Sequence, residues 1–132
     1  AMDAQELLTP SDLDMMAKVA FVCTSAEGRS IWPTFTLAAA AAALGDQVII
    51  YFTPGAVPAL EPDMLEEMTA KGMPSMKELV DGIKQLGGRF MLCELAMEAL
   101  HIERDEVRED LEIVGATTFM SETRDAYRTL SF

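Results

Sequence analysis

A chain of 132 residues is the length of one domain, and its 50% apolar content is enough for a buried core and excludes wholesale disorder. Ten Lys and Arg against 22 Asp and Glu give a formal charge of −12, a surface that repels phosphate backbones and anionic lipid and so excludes nucleic acid and membranes as partners. Two cysteines, at positions 23 and 93, and one histidine exclude a disulfide-stapled scaffold, a CxxC redox or zinc motif and a histidine-rich metal site.

In chain order, Thr9-Pro10-Ser11-Asp12 is a helix-start signal within Asp3 to Met16, and residues 1–17 are expected to form a partly helical extension. Lys18 to Cys23 is a short run, apolar after its first residue, which predicts a strand buried on both faces, as in parallel sheets. A polar loop, Thr24 to Ser30, leads to an alanine-rich helix over Ile31 to Leu44 that stops at Gly45. Gln47 to Thr53 is the second strand. Pro54-Gly55 breaks it and opens a long loop, within which Asp63 to Ala70 is expected to make one short helix. Ser75, with Glu78 three residues later, has the form of a capping box and begins a helix to Leu86 that ends at Gly87-Gly88. Arg89 to Leu92 is the third strand, with Cys93 where it stops. A helix over Glu94 to Leu100, a charged turn over Asp105 to Asp110, a strand at Glu112 to Val114, a helix near Ser121 to Tyr127 and a strand over Thr129 to Phe132 complete the chain. Strands alternating with helices predict an α/β domain with a mainly parallel five-stranded sheet, spanning residues 1–132 as a single unit.

Reactive groups in such sheets collect beyond the carboxyl ends of the strands. Cys23 ends the first strand and Cys93 the third, so both fall on the same edge. Cys93 is the main candidate: a thiol between a strand end and a helix start lies near unpaired amides that favour the thiolate, the nucleophile toward disulfides, persulfides and sulfane sulfur. Glu94 and Glu98 oppose this with nearby negative charge, and the other reading of Cys93 is a buried structural cysteine that packs as a small apolar residue. Cys23 continues an apolar run and reads first as a buried packing residue, with a second reading as a partner thiol for Cys93. His101, at i+7 from Glu94 and i+3 from Glu98, reads as a cation at a helix C-terminus, because a metal site would need ligands that the sequence does not supply. Ser25, Gly28 and Ser30 match neither GxGxxG nor GxxxxGK[ST], which excludes dinucleotide and Walker-type binding. Arg29, Arg89 and Arg124 would hold an anionic substrate only if they converge. Val57, Leu60, Met64, Leu65, Met68, Met73 and Met76 make the loop after the second strand unusually apolar. An oligomer interface or a lid over the thiol would account for it. The ten methionines suit adaptable core or interface packing. No apolar run is long enough to span a membrane and no secretory signal opens the chain, so the expected compartment is the cytoplasm.

Five segments, in order, carry a resemblance: Ala43-Leu44-Gly45, Val48 to Thr53, Pro74 to Leu79, Cys93 to Leu100 and Val114 to Phe119. From about Lys18 to Phe132 the chain resembles the DsrE/DsrF-like superfamily, which includes the sulfur-relay proteins DsrE and TusD, and most of all its members associated with bacterial sulfur oxidation. The resemblance implies a three-layer α/β/α fold and assembly into trimers, tetramers or hexamers. It also implies a sulfur carrier or sulfurtransferase that holds sulfane sulfur or thiosulfonate on Cys93, with no cofactor or metal, and hands it to a partner thiol such as a TusA-like carrier. Two alternatives stand beside it: a binding or assembly module without transfer activity, and a redox protein cycling a Cys23–Cys93 disulfide. The chain departs from the family pattern at two places. His101 stands where relatives usually end the helix with glycine, and Cys93-Glu94-Leu95-Ala96 lacks the serine that many relatives carry.

Overall fold

The computed structural model describes residues 16–132, so the helix expected within Asp3 to Met16 lies outside the described residues. Five strands form one sheet: β1 (Lys18–Cys23), β2 (Gln47–Phe52), β3 (Arg89–Cys93), β4 (Leu111–Val114) and β5 (Arg128–Ser131). Every pairing is parallel and the order is β4-β3-β2-β1-β5. The central strands read as unbroken apolar runs because both of their faces are covered: Val48 to Phe52 and Phe90 to Cys93 are all buried.

Four helices connect the strands: α1 (Gly28–Ala43), α2 (Met76–Gln85), α3 (Glu94–Ala99) and α4 (Ala116–Glu122). The first three crossovers step in one direction across the sheet, and right-handed connections therefore place α1, α2 and α3 on one face. The fourth returns past β1 and puts α4 on the other. Adjacent side chains of β2 record the division. Phe52 packs on Phe35 of α1 with ring centroids 6.2 Å apart, whereas Tyr51 stacks on Phe119 of α4 at 4.4 Å and 9°. The result is the expected α/β fold with a parallel five-stranded sheet between two helical layers.

Several boundaries differ from expectation, each for a physical reason. Helix α1 begins at Gly28, inside the expected polar loop, because its N-cap Glu27 makes no side-chain cap and leaves no signature. Asp63 to Ala70 forms no helix but turns as far as Glu67 and irregular chain beyond: Asp63 has φ 65°, a left-handed backbone that interrupts helix propagation. The preceding segment, Pro54–Leu60, is instead a 3-10 helix that packs against α3. It buries Val57 and Leu60, and Leu65 beyond it is also buried. Most of the apolar loop is thus absorbed by the core, with Met64 and Met73 left on its surface. The capping expected at α2 is present, the Ser75 hydroxyl accepting from the Glu78 amide at 3.2 Å.

Candidate functional site

The chain leaves β3 toward α3 on one face and leaves the neighbouring β4 toward α4 on the other. Adjacent strands whose exits diverge open a crevice at their carboxyl ends, the place where α/β sheets put their chemistry. Cys93 pairs with Val114 across this gap, and Gly115 follows as the N-cap of α4. The crevice is narrow: a Cβ on Gly115 would stand 3.0 Å from Oε1 of Glu94.

Cys93 is a free thiol, 8% exposed, and it is the N-cap residue of α3 without making a side-chain cap. Register decides which way it points. Tyr51 pairs with Met91 across β2 and β3, and Cys93, two residues on, shares their face. The thiol therefore lies on the α4 side of the sheet, the side that Tyr51 also faces. Burial first, then the hydrogen-bonding Cys93 side chain, then the negative charges of Cys93 and Glu94 push the Tyr51 hydroxyl up to about 12. Tyr51, itself 6% exposed, keeps its proton at neutral pH. Tyr51 is the residue of this site that sequence reasoning passed over. Among aromatic residues spread along the chain it reads as core packing, and only the two-residue period of parallel neighbours places it against Cys93.

Cys23 lies elsewhere. It pairs with Phe52 and so faces α1, on the side of the sheet opposite Cys93. It is fully buried, and burial pushes its thiol up, partly offset by hydrogen bonding from the Thr34 side chain and the Ser25 backbone. Two strand spacings, roughly 9.5 Å, separate β1 from β3, beyond the roughly 7 Å between Cα atoms that a disulfide bridges. The two thiols share an edge but not a face, and a direct disulfide between them would require backbone movement.

The three arginines do not converge. Arg29 is exposed at the start of α1 and pairs with Glu27 at 2.5 Å. Arg89, at the opposite edge of the sheet, is tied to Glu112 and Glu122, and Arg124 follows α4 at that same edge. His101 is past the end of α3 with φ 53°, off the helical face that would carry Glu94 and Glu98. No group of three or more His, Cys, Asp or Glu that could hold a metal exists among the described residues. Two clefts, of about 810 and 450 Å3, both lined by Pro62 and Val107, lie elsewhere, and neither includes Cys93. Among the described residues no helix is long and apolar enough to cross a membrane.

The sequence model of the DsrE/DsrF-like family matches residues 17–132. The chain belongs to the DsrE/DsrF-like family. Solved structures agree on the fold. The ychN protein from E. coli is 17% identical, with a TM-score of 0.69 over 89% of this chain and 100% of that one. A protein of unknown function from Methanobacterium thermoautotrophicum is 13% identical, with a TM-score of 0.67 over 86% of this chain and 98% of its own. A conserved protein of unknown function from Bacteroides thetaiotaomicron is 12% identical, with a TM-score of 0.61 over 100% and 99%. No curated protein matches the chain at a significant level. This DsrE/DsrF-like chain thus has a fold of the sulfur-relay type, with one of its two free cysteines at the end of β3, where the exits of β3 and β4 diverge.

Proposed function

We propose that this protein is a cytoplasmic sulfur carrier that accepts sulfane sulfur or thiosulfonate on Cys93 and passes it to a partner thiol. The observation that carries the reading is the position of Cys93: the one free thiol at the divergent exits of β3 and β4, in a chain of the DsrE/DsrF-like family. The chemistry is thiol exchange extended by one sulfur. The Cys93 thiolate attacks the outer sulfur of a donor persulfide, the donor's S–S bond breaks, and the donor thiolate leaves as a Cys93 persulfide forms. No external oxidant or metal enters this balance. With tetrathionate, the same attack yields a thiosulfonate adduct and releases thiosulfate.

The partner is a small basic carrier of the TusA type, attracted by the −12 charge, and the working form is a homo-oligomer. Leu95 on α3 and Met120 on α4, 61% and 66% exposed, supply apolar contact on the two helices that border the crevice. A second reading, an assembly module without transfer, draws on the low exposure of Cys93.

Intact-mass measurement separates the two. After incubation with polysulfide or tetrathionate, the wild type and Cys23→Ala should gain about 32 Da per sulfur or about 112 Da for thiosulfonate, and Cys93→Ala should gain nothing. Absence of adduct on every variant, also with a sulfur-loaded carrier protein as donor, would overturn the carrier reading in favour of the assembly module.

A further inference from the structure

The sheet has two open edges, and only the β5 edge is free of the charges that keep copies of an acidic chain apart. We propose that two copies of this chain join there, their β5 strands pairing antiparallel about a two-fold axis so that two five-stranded sheets continue into one. Such a contact stands whether or not Cys93 carries sulfur, and so goes beyond the carrier reading.

Backbone and side chains both point to that edge. Among the described residues β5 pairs with β1 alone, which leaves its far side open. Phe132 gives its amide to Val22 and accepts one from Thr24, so Leu130, two residues earlier, also turns its polar groups to β1. The N–H and C=O of Thr129 and Ser131 therefore point outward. Against a second β5 with the axis at Leu130, Thr129 of each copy exchanges both hydrogen bonds with Ser131 of the other. No proline or charge interrupts Thr129 to Ser131 to prevent this. An apolar helix face stands beside the edge. From Ser30 to Gly45 the chain carries no charged residue. Phe35 of α1 turns toward β3, against Phe52 and Phe90, whereas Leu37 and Leu44, 42% and 82% exposed, lie on the opposite side of the helix. Tyr127, 53% exposed just before β5, donates its hydroxyl to Asp46, which ties it to the end of α1 near Leu44.

Charge selects the occupant. A chain of charge −12 repels its own copies wherever unpaired carboxylates meet. The other open edge, β4, is entered past Glu109 and left past Glu94, which stands against Gly115. A second β4 laid antiparallel would bring the Glu109 of one copy toward the Glu94 of the other. At β5 the one charge in the strand is Arg128, and the axis at Leu130 sets it opposite Phe132 of the second copy. A basic partner finds no carboxylate on α1 or β5 to hold it. The contact leaves the exits of β3 and β4, three and four strands away, clear in both copies.

Sedimentation velocity of the full chain over a range of concentrations tests the contact. The wild type should sediment as an even multiple of one chain. Leu44→Glu changes an exposed side chain, and Thr129→Pro removes an amide that β1 does not use, so both leave the fold of the single chain intact. Each should weaken the association about tenfold or more, the first by placing an unpaired carboxylate in the contact and the second by deleting hydrogen bonds across it. Leu95→Glu, on α3, should leave the assembly unchanged. With Cys23→Ala and Cys93→Ala also in place, Leu130→Cys should give a disulfide-linked dimer under mild oxidation, because the axis brings that position face to face with its own copy. A monomeric wild type, an assembly of three chains, Leu44→Glu and Thr129→Pro both sedimenting as the wild type, or no cross-link at position 130 would overturn the proposal. So would a monomer that dimerises only after residues 1–15 are removed, since that segment would then be what covers the face. No readout involves sulfur loading, so failure of the carrier reading and failure of this contact are told apart.

Discussion

At the scale of single residues, three helices end in the same way and one of them uses the wrong residue. After α1, Gly45 donates to Ala42 and Asp46 to Ala41; after α2, Gly87 donates to Lys84 and Gly88 to Ile83. After α3, His101 donates to Glu98 and Ile102 to Met97. Each is a Schellman turn that requires a left-handed residue past the cap, with φ 96° at Gly45, 88° at Gly87 and 53° at His101. Glycine adopts that conformation freely and histidine does not. His101→Gly should therefore raise stability by about 0.5–1 kcal/mol in urea unfolding, and Gly45→Ala, at a position with open space around it, should lower it by about as much. Equal midpoints for His101→Gly and the wild type would mean that the turn carries no strain. The sequence anticipated the helix end after Cys93, and the resemblance anticipated a glycine there. A histidine assigned to the helix face beside Glu94 and Glu98 missed the backbone reversal, which no side-chain pattern encodes. The place of Cys93 at the end of a strand was legible from the apolar run before it, while Tyr51 on the same face needed the register.

Elements buried on two faces were the most legible. The continuous apolar runs of β1, β2 and β3 announced themselves, as did α2 through its serine cap and the buried Met76, Val80 and Ile83 on one stripe. Helix α4 was expected near Ser121 to Tyr127 and lies at Ala116–Glu122. Gly115 offers no side-chain cap, and Thr117 and Thr118 are weak helix formers, so packing of Phe119 on Tyr51 outweighs propensity. The far end of α4 is fixed by charge: Lys18 donates to the Glu122 carbonyl at 2.7 Å, and Arg89 reaches both Glu122 and, bidentately at 2.9 and 2.7 Å, Glu112 of β4. The hydrogen-bonded Arg89 guanidinium holds Glu112 below its usual range. A carboxylate with a lowered value in the folded state contributes stability above its unfolded value, near 4.5, and loses it as pH falls through the lower, folded one. The urea midpoint of the wild type should accordingly drop more steeply below about pH 4.5 than that of Glu112→Gln, which is less stable at pH 7 and has no proton to take up there. Parallel pH curves for the two proteins would show that the bridge between β3, β4 and α4 is too solvent-screened to matter.

Across the whole molecule the charges are sorted along the strand axis. Seven of the ten Lys and Arg residues fall at the amino edge of the sheet: Lys18, Arg89 and Arg128 begin strands, Lys84 ends α2, Arg104 and Arg108 precede β4, and Arg124 follows α4. Most are engaged there; Arg108, for example, is buried against Glu66 and Asp110, which makes that edge a structural ionic network. At the carboxyl edge, where Cys93 lies, Arg29 and Lys77 are each paired with a neighbouring carboxylate. Cys93 therefore looks out through the negative field of a chain with a charge of −12. A small dianion and a basic protein must feel that field with opposite sign. Loading of Cys93 from tetrathionate should accelerate several-fold as salt is raised from about 20 to about 300 mM, because shortening the Debye length from roughly 20 Å to under 10 Å relieves repulsion. Loading from a sulfur-charged basic carrier should slow over the same interval, as steering is lost. Rates that move in the same direction with both donors would show that the field around Cys93 does not choose its partner, and the basic-carrier assignment would fall while the carrier chemistry of Cys93 stood.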